Sequence, residues 1–412
     1  MMQPKDEGPF VNAKATRLDG NDWPGRPFAH LSTWGGRNRG GGRRGGLARR
    51  RLGFLLLVLL SLGSMPTWAD NETVGGVKWN YTASNGTAIV TGAKPGPAAL
   101  RIPGELGGFP VAAIGDCAFF ECVDWREATI PDSVKTIGER AFFNCSGLTN
   151  MAMGRGVTNI GNRAFAECYG LQSIEVVPEN PVYASEDGML FSRDRKMFLL
   201  RPAAKPGANH VVPDGVVAIG DMAFAHCFGL TNIVLPDSAT TIGSRAFAQC
   251  LNLTDLVLPD GVTHIGNSAF ERCFAVKNFS IPCGVTTIEW GTFEECRFTE
   301  MTIPDGVTDI GSWAFLGCTK LTNVIIGAGV TNIGDGAFQS CRALPALSIP
   351  DTVAHVGKWV FVDCKALISL DVPGKWRGTD ALLDAGIPEC CTVTYRGAEQ
   401  TTCSRQVEKT EF

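Results

Sequence analysis

The chain has 412 residues, 44% of them hydrophobic and 19% charged, which excludes wholesale disorder and suits two or three ordinary domains or one extended repeat array. The formal net charge of −4 hides a division: residues 1–69 carry 11 Lys/Arg against 4 Asp/Glu, and the other 343 carry 26 against 37. So acidic a body excludes nucleic acid as its partner, because phosphate-backbone binding needs clustered cations.

Residues 1–51 are predicted to be a disordered, basic Gly/Arg-rich segment. Arg49-Arg50-Arg51 then precedes an apolar run from Leu52, and Thr67-Trp68-Ala69 ends on a small residue. The run is about 12 residues, short of the ~20 that span a bilayer. Basic, apolar, then small is the order of a secretory signal, so 52–69 is read as a signal peptide cleaved after Ala69. An uncleaved anchor and an RNA-binding arginine-glycine tract are the alternatives. The long basic lead places the expected translation start nearer Leu47, with 1–46 a start-site misassignment. Residues 70–110 are predicted to be a β-hairpin cap, Lys78–Thr82 and Thr87–Val90 joined across Asn85-Gly86.

Beyond the cap one unit recurs. Ile-Gly pairs or close variants begin at 114, 137, 160, 219, 242, 265, 288, 310, 333 and 356, mostly 23 residues apart. Each is followed by a phenylalanine: Phe119, Phe142, Phe165, Phe224, Phe247, Phe270, Phe293, Phe315, Phe338 and Phe361. Three residues later stands a cysteine: Cys122, Cys145, Cys168, Cys227, Cys250, Cys273, Cys296, Cys318, Cys341 and Cys364. In the unit Ile219–Pro236, apolar Ile233 and Leu235 alternate in a short strand that Pro236 ends. Ala-Phe-x-x-Cys suits one turn of helix or 3₁₀.

Such a unit buries its apolar face only against a neighbour, so the copies must stack. The predicted fold over 111–374 is a right-handed repeat solenoid of about ten units. It carries a parallel β-sheet on one face and short helical or 3₁₀ turns opposite. The Phe and Cys columns are its core ladder. One step of 59 residues hides an insertion at 176–213, read as two strands, Tyr183–Phe191 and Lys196–Leu200, that extend the sheet or form a lip over it. Glu289 replaces glycine after Ile288 and the next unit is one residue short, predicting an irregularity near 289–299. Residues 375–397, with Leu382, Leu383, Ile387, Val393 and Tyr395, are the predicted C-terminal cap, and 398–412 a flexible tail.

The pattern Leu-x-x-Ile-x-Leu-Pro-x-x-Val-x-x-Ile-Gly-x-x-Ala-Phe-x-x-Cys, nearly intact at Leu230–Cys250 and Leu253–Cys273, resembles the BspA-type (Treponema pallidum-type) leucine-rich repeat over about residues 98–374. The resemblance implies a leucine-rich arc, secreted or on the cell surface, that binds proteins or matrix. It implies no particular ligand.

No His-Glu-x-x-His, Gly-x-Ser-x-Gly, phosphate loop or Cys-x-x-Cys occurs, so no catalytic, cofactor or metal residue is assigned. His226 and His264 fall at variable repeat positions and are expected on the surface. Stacked ladder cysteines have parallel side chains, poorly arranged for disulfides, and read as small hydrophobes. Export allows a bridge from Cys403 to Cys390 or Cys391; with Cys117 and Cys283 the remaining number is odd and the pairing open. Six glycan-acceptor tripeptides, at Asn71, Asn80, Asn85, Asn144, Asn252 and Asn278, are discounted.

The outward strand positions supply the candidate binding face: Glu127, Asn150, Glu175, Asn232, Asp255, Asn278, Glu300, Asn323 and Asp371. Acids and amides suit a basic protein segment, a glycan or a cation-bridged contact. Lys, Arg and aromatic residues are missing from these strand positions, and Trp, Tyr and Arg are the usual hot-spot types. A plain solvated sheet therefore competes with binding, and Trp290, Trp313 and Trp359 offer another patch. The expected function is non-catalytic: an exported protein binding a surface protein, matrix component or glycan. The alternative is a self-associating envelope or matrix protein.

Overall fold

The structure, a computed structural model, describes residues 68–94 and 98–397. The predicted basic segment, the signal peptide up to residue 67 and the tail lie outside the described residues.

Three strands open the fold: β1 (Trp68–Val74), β2 (Val77–Ser84) and β3 (Thr87–Ala93), paired antiparallel in sequence. Asn85 and Gly86 take φ of 53° and 75°, the left-handed pair that a two-residue hairpin turn needs. Alternation along β2 buries Val77, Trp79, Tyr81 and Ala83. Strand β3 then pairs parallel with Phe109–Ile114, so the hairpin passes directly into the solenoid. Trp79 meets Phe119 edge-on, with ring centroids 6.4 Å apart, and closes the first coil.

The solenoid has about 13 turns. More turns than Ile-Gly pairs arise because Ala99–Arg101, Asn209–Val211 and Thr392–Tyr395 supply strands without that signature. Each regular coil contributes to two parallel ladders rather than one. The Leu-x-x-Ile-x-Leu strands form the first, as where Glu127, Asn150 and Ser173 stand side by side. The second joins the residues ending in the Ile of Ile-Gly, as Ile219, Ile242 and Ile265 do. The glycine after this Ile is needed for close approach: a Cβ on Gly243 would lie 2.7 Å from the Asp221 amide nitrogen, and φ there is not positive.

Among the described residues the one 3₁₀ helix is Gly374–Trp376, so the helical turns expected at Ala-Phe-x-x-Cys are replaced by another device. Two residues per coil lie in the left-handed region, for example Arg140 (φ 51°) and Asn144 (φ 54°). Backbone of alternating hand turns its N–H groups to one side. Accordingly Arg140, Phe142 and Asn144 donate to the carbonyls of Asn162, Ala164 and Ala166 one coil on, at 3.0, 2.8 and 2.9 Å. A helical turn would spend those donors within its own coil.

The insertion also departs from expectation. The run Tyr183–Phe191 is not one strand: it turns at Asp187-Gly188 (φ 48° and 70°) into Tyr183–Glu186 and Met189–Ser192. A third strand, Met197–Leu200, pairs parallel with Ala218–Ile219 and extends the second ladder. The Ile174 amide donates to Gly188 O at 2.9 Å, so the turn also covers the edge of strand Ser173–Val176. Asn180, 1% exposed, holds the entry: its amide donates to Gly154 O and Val157 O, and its carbonyl accepts from the Val182 and Tyr183 amides.

The irregularity expected near 289–299 lies earlier. The first ladder is interrupted between Val257 and Glu300 and the second between Ile265 and Thr287. Here Phe279 replaces the smaller apolar strand residue, its ring 4.8 Å from Phe270 and 4.9 Å from Phe293. The turn ladder nonetheless runs through, Phe270 N donating to Thr292 O at 2.9 Å. At the carboxyl end, Thr392–Tyr395 pairs with Ser369–Val372, and Trp376 and Ala385 are buried. Leu383, expected in this cap, is 68% exposed because that stretch turns outward over Ala385.

Candidate binding face

Strand alternation, exposed–buried–exposed–buried, aims every second side chain away from the core. The inward set packs with the phenylalanine column, whose rings stack from coil to coil, as at Phe224–Phe247 (5.1 Å, 6° between planes) and Phe315–Phe338 (5.2 Å, 2°). All ten ladder phenylalanines are buried. The ladder cysteines are buried too, except Cys122 in the first coil, which is partly exposed. Their thiols have a defined role: Cys250 donates to Phe224 O at 3.0 Å, Cys273 to Phe247 O at 3.2 Å and Cys296 to Phe270 O at 3.1 Å. Burial pushes the Cys227 thiol up to about 11 and the Cys296 and Cys364 thiols up to about 12.

On the outward side the candidate residues fall into separate groups. Glu127 lies beside Asn150, Asn232 beside Asp255, and Glu300 beside Asn323. Glu175 and Asp371 occupy the neighbouring column, opposite Ala152 and Ser348. Glu175 accepts from the Ser173 hydroxyl at 2.6 Å. Asp371 is engaged by Arg396 at 2.6 Å and Ser348 at 2.9 Å, so the last coil covers it. Asn278 is exposed but stands in no strand. Among the described residues no group of three or more His, Cys, Asp or Glu could hold a metal ion.

Two residues of this face escaped the sequence analysis. Asn209 stands beside Asn232, and Val211 beside Val234, which is itself beside Val257. The signal was present: Asn209 and Pro213 precede Asn232 and Pro236 by one 23-residue period, within what was read as insertion. With Val211 included, a column of three valines, 66%, 49% and 81% exposed, runs beside a polar column of Asn209, Asn232 and Asp255. Ile325, 55% exposed, continues the apolar positions further along.

The other patch is split. Trp290 and Trp313 meet edge-on at 5.6 Å and are partly exposed, whereas Trp359 stands 52% exposed. His226, expected on the surface, is buried at 8% exposure between the Tyr169 and Phe228 rings. Burial, then the Arg245 charge, lowers its pKa to about 4, so it is neutral at physiological pH. Glu294 is pushed up to about 7 by burial and by the neighbouring Glu271 and Glu295 carboxylates.

No curated protein sequence matches the chain. Among solved structures, a leucine-rich repeat protein from Eubacterium ventriosum is 19% identical, covering 72% of this chain and 95% of that one, with a TM-score of 0.53. A leucine-rich cell surface protein from Faecalibacterium prausnitzii is 24% identical, covering 80% and 95%, with a TM-score of 0.47. The first of these supports the fold. The sequence profile described as "BspA type Leucine rich repeat region" matches six copies, over residues 110–190, 208–319 and 286–381. With more than half of its length so matched, the chain belongs to the BspA-type leucine-rich repeat family.

Proposed function

We propose that this protein is exported and acts without catalysis, binding another protein at or outside the cell surface through the outward face of its first ladder. The observation that carries this reading is the pairing of two columns, apolar Val211–Val234–Val257 beside polar Asn209–Asn232–Asp255. Apolar side chains in a solvent-facing row favour a partner that covers them, and the flanking amides of Asn209 and Asn232 fix its orientation by hydrogen bonding. Export is supported by the basic, apolar, small order of residues 49–69.

The test is a binding screen of the purified protein against matrix proteins, host-cell surfaces and a glycan panel. A saturable protein ligand whose affinity falls at least about tenfold in Val234→Asp fits the proposal. Ligand binding that is indifferent to Val234→Asp and Glu300→Lys, with both variants folded, overturns the choice of face. The same valine column favours one second reading, self-association. Light scattering separates the two: concentration-dependent mass that disappears in Val234→Asp supports assembly.

A further inference from the structure

Where the insertion enters, the turn ladder stops. Arg140, Phe142 and Asn144 donate to the coil that follows, and Met222, Phe224 and His226 do the same at 2.9, 2.7 and 2.9 Å. Between these coils, the amides of Arg163, Phe165 and Glu167 have no backbone acceptor among the described residues. The chain that should offer them carbonyls, Leu199–Ala203, carries Arg201-Pro202 in place of Phe and its follower; its Arg201 amide makes the regular forward bond to Ala223 O at 2.7 Å, but its carbonyls do not accept from the coil before. Arg163 and Glu167 keep the left-handed φ of 55° and 60°, so the three N–H groups point the same way, as their equivalents do in the neighbouring coils.

These amides border a cavity of about 370 Å³ with apolar walls that include Ile160, Leu171, Leu190 and Leu200. Two further lining residues are more than nine-tenths buried and carry a side-chain nitrogen without a partner, Arg201 Nε and His226 Nδ1. The rest of the Arg201 guanidinium is held by the carbonyls of Pro202, Lys205 and Gly207, which fix its position. The Arg163 side chain also lines the cavity, where burial and the Arg245 and Arg140 charges lower its pKa. Of the two carboxylates at the rim, Asp221 and Glu167, Asp221 accepts from the Ser244 amide. The cavity is thus apolar in its body and rich in unspent donors along one edge.

We infer that this cavity binds the carboxylate of an apolar ligand, the anion received by unpaired donors along the Arg163–Glu167 edge and the hydrocarbon part by the surrounding leucines. Charge-assisted hydrogen bonds from several aligned donors are the strong kind, and a fixed cluster of donors needs no reorganisation to accept an anion. The carboxylate has two sources, a free amphipathic acid or the carboxyl end of a peptide. A peptide also brings N–H donors for the carbonyls of Asp221 and Ala225 on the facing strip, which have no backbone donor among the described residues.

The experiment is calorimetric titration of the full chain with octanoate, octanol, N-acetylated trileucine and its carboxyl-terminal amide. The expected result is one-to-one binding of at least one carboxylate, its neutral counterpart binding at least about tenfold more weakly. Tighter binding of octanoate identifies a free acid, and tighter binding of trileucine a peptide end. Ala203→Trp, at a partly exposed position of the lining, should abolish the heat, and Arg163→Gln should weaken binding about tenfold, with circular dichroism and melting unchanged. Absence of saturable carboxylate binding by the folded protein overturns the inference. Equal binding of acid and neutral counterpart, or binding that survives Ala203→Trp, does the same.

Discussion

Replacing Gly243 with alanine probes the coil-to-coil spacing on which the whole solenoid rests. The added Cβ would stand 2.7 Å from the Asp221 amide nitrogen and 2.7 Å from the Gly220 carbonyl carbon, where ordinary contact begins at 3.4 Å. Relief therefore needs a separation of about 0.7 Å, and although the Asp221 Oδ1, at 2.6 Å, is a side-chain atom, the other two obstructing atoms are backbone, which has no alternative rotamer. That movement stretches the Gly243 N to Ile219 O bond from 2.8 Å to about 3.5 Å, past useful hydrogen-bond length. It also strains the bond from the Ser244 amide to Asp221 Oδ1, now 2.7 Å. Overpacking costs about 1–3 kcal/mol and a lost buried bond about 1–3 kcal/mol, so the expected destabilisation is about 2–6 kcal/mol. Gly229→Ala is the control, since its Cβ would meet nothing within 4 Å and its φ is not positive. That substitution should be neutral or stabilise by about 0.4–1 kcal/mol through the unfolded chain. Urea unfolding followed by circular dichroism, with amide exchange at Ile242–Phe247, reads both. Comparing midpoints avoids assuming two-state behaviour in a long repeat array. Equal midpoints for the two variants would refute the spacing argument.

Thiol labelling of the native protein at neutral pH should modify the exposed Cys117, Cys283 and Cys390 and spare Cys250, Cys273 and Cys318 until urea is added, because burial raises these three thiols well above their ordinary pKa. Modification of Cys250 as fast as Cys283 would contradict that. Glu294 has a folded pKa of about 7, above its unfolded value near 4.5, so the protein favours its protonated form. Its contribution to stability is full below the unfolded value and is lost as pH rises through 7. Glu294→Gln should accordingly stabilise at pH 8 by about 1–2 kcal/mol and have no effect at pH 4, in urea titrations at each pH; a pH-independent effect excludes this origin. Asn180→Ala leaves three backbone groups, Val157 O and the Val182 and Tyr183 amides, without partners and should cost about 2–4 kcal/mol, with amide exchange accelerating at Val182 and Tyr183. A loss below about 0.5 kcal/mol, the usual range of a surface substitution, would show that water replaces the asparagine.

The sequence alone determined the stacking. A period of 23 residues places Phe224, Phe247 and Phe270 in one column, and equivalence of position is all that a solenoid needs to align its rings. The Asn85-Gly86 hairpin was equally legible, because its left-handed turn is a property of two adjacent residues. What the tertiary structure decided is where backbone donors go. Ala-Phe-x-x-Cys suits a helical turn when taken singly, but a neighbouring coil offers carbonyls at matched height, and the left-handed residues at Arg140 and Asn144 turn the amides toward them. His226 occupies one of these left-handed positions beside Tyr169, a residue 57 positions earlier, so its burial could not be seen in its local neighbours. The same holds for the insertion. Its strands are local, whereas the unmet amides of Arg163, Phe165 and Glu167 exist only because 36 extra residues bring the next coil in with Arg201-Pro202 at the joint. Repetition records which side chains share a column; hydrogen-bond direction between coils, and its interruption, is settled by the stack.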